Sequence, residues 1–71
     1  MAGLKWSDAE EMAIRLYESR PEQDPLQVRF TDLHKWVCEL KDFDDDPGSS
    51  NEGILEAIQM AWLAEWQEGQ G

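Results

Sequence analysis

Three observations predict a mainly α fold, a compact three-helix domain. Apolar residues recur at helical spacing in three separate stretches. Proline and glycine punctuate the two connectors between them. Only Val28-Arg29-Phe30 alternates apolar and polar as a strand would, so the strand content is at most rudimentary. One domain over residues 1–71 is expected, with helices at about 8–20, 32–41 and 50–67.

The first helix follows Ser7-Asp8-Ala9-Glu10, which reads as a capping box with Ser7 and Glu10 as its reciprocal partners. Asp8, Glu10 and Glu11 sit where the positive end of the helix dipole favours acids. Ala9, Met12, Ala13, Leu16 and Tyr17 share one face, and Asp8, Glu11, Arg15 and Glu18 lie opposite. Ile14 is an apolar residue on that polar side, which the core pattern does not explain. Pro21 ends the helix near Arg20.

Asp24-Pro25 in the first connector suggests a tight turn. Thr31 is the expected cap of the second helix, whose Leu33, Trp36, Val37 and Leu40 form its core stripe. The second connector, Asp42 to Ser50, is rich in aspartate and is stopped by Pro47 and Gly48. Ser49 and Glu52 suggest another capping box. In the third helix Ile54, Leu55, Ile58, Ala61, Trp62 and Trp66 form a broad apolar face, with Met60 and Leu63 outside it. That breadth predicts the most buried of the three helices, followed by a frayed tail at 69–71. Near-perpendicular packing of the set would resemble a helix-turn-helix or modified winged-helix core, without the paired strands of a full wing.

Composition narrows the function classes. A length of 71 residues leaves little room for a catalytic cleft beside a core, while 41% hydrophobic residues and four Trp exclude wholesale disorder. Six Lys plus Arg against sixteen Asp plus Glu leave a net charge of −10. Such a field repels nucleic acid and anionic membranes and favours cations or basic protein surfaces. The third helix carries no Lys or Arg, so DNA reading is rejected whatever the fold. No apolar stretch approaches the ~20 residues of a membrane span, and no secretory signal opens the chain. With Cys38 as the lone cysteine, a reducing cytoplasmic setting is expected.

No residue pattern points to catalysis. His34 and Cys38 lie four apart on one helix, but both fall at the edge of its stripe or outside it, as a surface imidazole and a part-exposed thiol would. No Cys/His quartet suits zinc. Asp42, Asp44 and Asp46 fit the first three ligand positions of an EF-hand, but Pro47 stands where that loop needs glycine and Gly53 where it needs glutamate. What remains is an open cluster, Asp44, Asp45 and Asp46, suited to loose binding of cations such as ferrous iron, or a solvated loop that aids solubility. Trp36 and Trp62 belong in the core, Trp6 packs under the first helix, and Trp66 is partly exposed.

The string itself carries a resemblance. Leu4-Lys5-Trp6-Ser7-Asp8, Asp24-Pro25, Val28-Arg29-Phe30-Thr31-Asp32-Leu33, Asp42-Phe43-Asp44-Asp45-Asp46-Pro47, Ser50-Asn51-Glu52 and Ile54-Leu55-Glu56-Ala57-Ile58 closely resemble the IscX family in order and spacing. The resemblance implies a small acidic accessory protein of bacterial iron–sulfur cluster assembly with a modified winged-helix fold. It implies a monomeric, non-enzymatic adaptor or regulator that binds an IscS-like cysteine desulfurase, in competition with bacterial frataxin, and binds ferrous iron weakly. No tightly bound cofactor is implied. Carried onto this chain, the acidic pattern of the first helix falls on Asp8, Glu11 and Glu18, and the acidic loop on Asp44, Asp45 and Asp46. Ile14 departs from the family's polar residue and is expected as an apolar contact within the partner-binding face. The ending Trp66 to Gly71 departs from the acidic tail of relatives. An alternative function is a weak iron carrier or divalent-metal buffer, and a more remote one is an acidic mimic occupying a nucleic-acid-binding protein.

Overall fold

The structure, a computed structural model, describes residues 3–70. Its elements run α1 (Ala9–Ser19), α2 (Phe30–Cys38) and α3 (Glu52–Gln70), with short 3-10 turns at Pro25–Gln27 and Pro47–Ser49. Among the described residues the only strand-like pairing is a single parallel bridge between Leu4 and Phe43. Extended pairing thus occurs at the N-terminal segment and the aspartate loop rather than at Val28-Arg29-Phe30. Val28 and Arg29 are extended in φ and ψ but have no strand partner, and Phe30 already opens α2.

Helix ends depart from the expected caps for local reasons. Asp8, not Ser7, is the N-cap of α1, and its side chain makes no cap bond. The Asp8 carboxylate instead accepts from the Lys5 amide at 3.0 Å, while the Asp8 amide donates to the Lys5 carbonyl at 2.8 Å. That reciprocal turn occupies the oxygen a cap would use. The Arg20 amide closes α1 on the Leu16 carbonyl at 2.9 Å, just before Pro21. Asp24 makes the expected turn, accepting from the Leu26 amide at 2.9 Å. The α2 helix begins before Thr31, so Thr31 lies inside the first turn and caps nothing. Asn51 rather than Ser49 caps α3, its side-chain oxygen accepting from the Ile54 amide at 2.9 Å. The last helix runs on through Gln70, three residues past the expected end at 67, and Gly71 lies outside the described residues.

One apolar cluster holds the elements together. Met12, Ala13 and Leu16 of α1, Leu33 and Val37 of α2, and Leu55, Ile58 and Trp62 of α3 are buried in it, and Leu4, Trp6 and Val28 join from outside the helices. The chief interface is α1 against α3, with α2 touching both. At the far end of that interface Gly69 admits the Tyr17 hydroxyl so closely that a Cβ at position 69 would collide with it.

Two expectations about α3 and Trp36 need correction. Among the described residues of α3 only Leu55, Ile58 and Trp62 are buried, and Met60 is 53% exposed, so it is not the most buried helix. Its apolar residues exceed what two shorter helices can cover. Trp36 is half-buried rather than a core residue. It meets Trp62 edge to face at 6.3 Å between ring centroids, and the Arg20 guanidinium lies 4.1 Å from its ring centroid on the solvent side of the cluster.

Trp62 is the largest fully buried side chain. Among the described residues its indole N–H finds no hydrogen-bond partner, a desolvation cost of about 1–3 kcal/mol. Burial of ~150–250 Å² of ring at ~25 cal/mol per Å² contributes about 4–6 kcal/mol, so the apolar gain wins. Trp62→Ala is therefore expected to cost about 3–5 kcal/mol in urea denaturation followed by circular dichroism. Trp36→Ala should cost clearly less, because its side chain is only partly buried. Equal losses in the two variants would contradict the packing described here.

Candidate functional site

The Asp42–Asp46 loop is lashed to the N-terminal segment and to α1. Leu4 donates to the Asp42 carbonyl at 2.7 Å and accepts from the Asp44 amide at 2.9 Å. Gly3 is pressed so tightly onto the loop that a Cβ there would collide with Asp44 and lie 2.9 Å from the Asp42 carbonyl oxygen. Next along the segment, the Trp6 amide donates to the Asp45 carboxylate at 3.0 Å, and the Trp6 indole N–H donates to the Asp46 carbonyl at 2.7 Å. The Trp6 ring is 5% exposed, meets Phe43 edge-on at 5.1 Å between centroids, and stacks on the His34 imidazole at 5.5 Å. Trp6 therefore anchors the loop as well as packing beneath α1.

Each aspartate in the loop has its own partner. Asp42 pairs with Arg15, whose guanidinium is held above its ordinary pKa by that hydrogen bond and charge. Asp44 pairs with Lys5 at 3.4 Å. Asp45 accepts from the backbone amides of Trp6 and Asp46, which hold its carboxyl below the usual aspartate range. Asp46 accepts from the Gly48 amide at 2.9 Å and so caps the 3-10 turn that Pro47 begins. The Asp44, Asp45 and Asp46 carboxylates thus turn toward three different sets of donors rather than toward one centre. Among the described residues no group of three or more His, Cys, Asp or Glu side chains is placed to hold a metal ion.

His34 and Cys38 are brought together without forming a nucleophilic pair. The Pro47 carbonyl lies 2.6 Å from His34 Nε2, and a carbonyl only accepts, so Nε2 carries the proton. That leaves Nδ1 facing the Cys38 Sγ at 3.8 Å. Partial burial, and then the charge of Glu39, push the Cys38 thiol pKa up. That shift favours the thiol over the thiolate, the form a nucleophile needs. His34 is half-buried and clamped between Trp6 and Pro47, not the surface imidazole its position in the sequence suggests.

On α1, Glu11 and Glu18 are exposed and Asp8 is half-buried, all on the side away from the core stripe. Arg15 lies between Glu11 and Glu18 on that side, reaching Glu11 at 4.0 Å and Asp42 in the loop. The acidic side of the helix and the aspartate loop, far apart in sequence, are therefore joined through one guanidinium. Ile14 does not sit within the ring of Asp8, Glu11 and Glu18. It is half-buried in a crevice shared with Glu10 and with Ala61, Ala64 and Glu65 of α3, which explains an apolar residue at that position. Sequence periodicity misses Lys5, Arg15 and Trp6 as organisers of the loop. Their only sequence signal is that Lys5 and Arg15 are scarce cations in an acidic chain and that Trp6 opens next to a helix start.

An iron–sulphur cluster assembly family matches residues 4–67, from the first loop strap to the last turns of α3. The chain belongs to this family. It is also 58% identical over 62 residues to an uncharacterized protein of Pseudomonas aeruginosa, covering 87% of this chain and 94% of that relative. The match spans the Trp6 anchor, the aspartate loop and all three helices. Among the described residues no helix is long and apolar enough to cross a membrane.

The Asp45 anchor has a pH signature. Its carboxyl titrates lower when folded than when unfolded, so the stability it contributes is complete above the unfolded value of ~3.9. That contribution is lost as pH falls through the lower, folded value. Urea midpoints measured from pH 6 down to pH 2 should decline along this limb in the parent protein. In Asp45→Asn the overall stability should be lower at neutral pH and the acid limb shallower. An unchanged limb would show that the Trp6–Asp45 bond does not form in solution.

Proposed function

We propose that this chain is a non-enzymatic adaptor or regulator of iron–sulfur cluster assembly that docks on the basic surface of a cysteine desulfurase. The observation that carries the reading is that Arg15 joins the acidic side of α1, with Asp8, Glu11 and Glu18, to the Asp42–Asp46 loop, in a chain of net charge −10. Membership of the cluster-assembly family supplies the process. The desulfurase as partner, and competition with bacterial frataxin for it, are what the IscX resemblance implies. The protein acts in the cytoplasm as a monomer in this reading. Its acids speed encounter with a basic patch, and Ile14 adds an apolar contact at the edge of the face.

Salt and charge reversal test the docking mode. The Debye length falls from ~10 Å at 0.1 M to ~3 Å at 1 M, so affinity for an IscS-like desulfurase should drop steeply across that range. Asp8→Lys with Glu11→Lys should remove most of the binding. The same pair should cost about 0.3–1 kcal/mol of stability per site, because both lie where the helix dipole favours acids. Binding that ignores salt, or full affinity in the double variant, would overturn the acidic-face reading. Frataxin added to the complex should displace this chain.

Weak ferrous binding is a secondary part of the proposal, resting on the exposed carboxylates of Asp44 and Asp46 beside the half-buried Asp45. A dedicated carrier would need a gathered ligand set, which the described residues do not supply. Anaerobic titration should therefore show loose affinity with little preference among divalent cations. Asp44→Asn, Asp45→Asn and Asp46→Asn together should weaken it. Tight, iron-selective binding would favour the carrier reading instead.

A further inference from the structure

A crevice of about 240 Å³ lies between α1 and α3, lined by Glu10, Ile14, Ala61, Ala64 and Glu65. Its apolar lining comes from Ile14 and the two alanines, and its only charged groups are two carboxylates, one from each helix. Among the described residues no Lys or Arg forms an ion pair with Glu10 or Glu65, and the ion pairs present join Lys5 to Asp44 and Arg15 to Asp42 and Glu11. Two carboxylates lining one crevice favour a cation entering between them.

The chemistry of the lining selects the cation. A hard divalent ion takes six or more oxygens, and two carboxylates beside alkyl groups do not supply them. An arginine side chain matches better. Its methylene stem can lie along Ile14, Ala61 and Ala64, and its weakly hydrated guanidinium offers five donors to carboxylates on either side. We infer that this crevice is a socket for an arginine side chain presented by the basic surface of the protein partner. The inference rests on the acidic docking face proposed above and extends that face from α1 onto α3, with Glu10 and Glu65 as its recognition residues.

The test titrates ¹⁵N-labelled protein with acetyl-arginine amide, and separately with acetyl-lysine amide, at constant ionic strength. Arginine amide should move the amide signals of Glu10, Ile14, Ala61, Ala64 and Glu65, and lysine amide should move them less. Glu10→Gln with Glu65→Gln should weaken the arginine response by about fivefold, as loss of a partly screened charge pair implies. Glu52→Gln with Glu56→Gln, two exposed acids elsewhere on α3, should leave it unchanged. Diffuse shifts, or equal responses to the two amides, would overturn the socket. A second arm measures affinity for the desulfurase. The Glu10/Glu65 variant should lose about tenfold, roughly one well-placed charged contact. If it keeps full affinity while Asp8→Lys with Glu11→Lys loses binding, the socket fails and the docking face stands. If both variants keep full affinity, the docking face fails, and with it the socket as a partner site.

Discussion

The attachment of Trp6 to the aspartate loop is the constraint on which the rest of the molecule depends. A loop with four aspartates in five residues, Asp42 to Asp46, would repel itself into an extended, solvated chain if left alone. Trp6 opposes this with two N–H donors, one to the Asp45 carboxylate and one to the Asp46 carbonyl, while its ring is sunk in the core. Hydrophobic burial of the indole thus fixes a hydrophilic segment. His34 and Phe43 close on the same ring, so α2, the loop and the N-terminal segment meet at one side chain.

Charge is arranged around that anchor with few cations. Lys5 and Arg15 each bridge to the loop, on opposite sides of Trp6 in the sequence. Exposed ion pairs of this kind contribute little to stability, with a typical value of about 0–1 kcal/mol. Their consequence is geometric, because they tie Asp42 and Asp44 to fixed cations while Glu11, Glu18 and Asp46, like them, stay exposed. The result is an acidic face of defined shape rather than a diffuse negative field. A basic partner would meet carboxylates already positioned, which favours encounter rate and register over raw affinity.

The residues that look chemical in the sequence serve the architecture. Cys38 and His34 approach each other, yet the imidazole donates to Pro47 and partial burial pushes the thiol pKa up. Asp46, one of the candidate metal ligands, caps a turn. Ile14, unaccounted for by helix periodicity, is explained by α3 passing beside it with two small alanines.

The helical class, the three apolar stripes, the acidic excess and the family resemblance were legible in the amino-acid string, because each depends on periodicity or on residue order within short blocks. Met12, Leu16, Leu33, Val37, Ile58 and Trp62 are buried as their spacing requires. Helix caps were less legible, since Ser7, Thr31 and Ser49 each compete with neighbours that make the local turn instead. Asp8 turns back to Lys5, and Asn51 takes the role expected of Ser49. Only the folded chain decided that the extended pairing lies at Leu4 and Phe43, that Trp36 stays half in solvent, and that Arg15 joins α1 to the loop. The pairings of Leu4, Trp6 and Arg15 with the loop join residues 27 to 40 positions apart, brought together by α1 packing on α3 and by the burial of Trp6. No local pattern encodes such a distance, because it is set by the whole core at once.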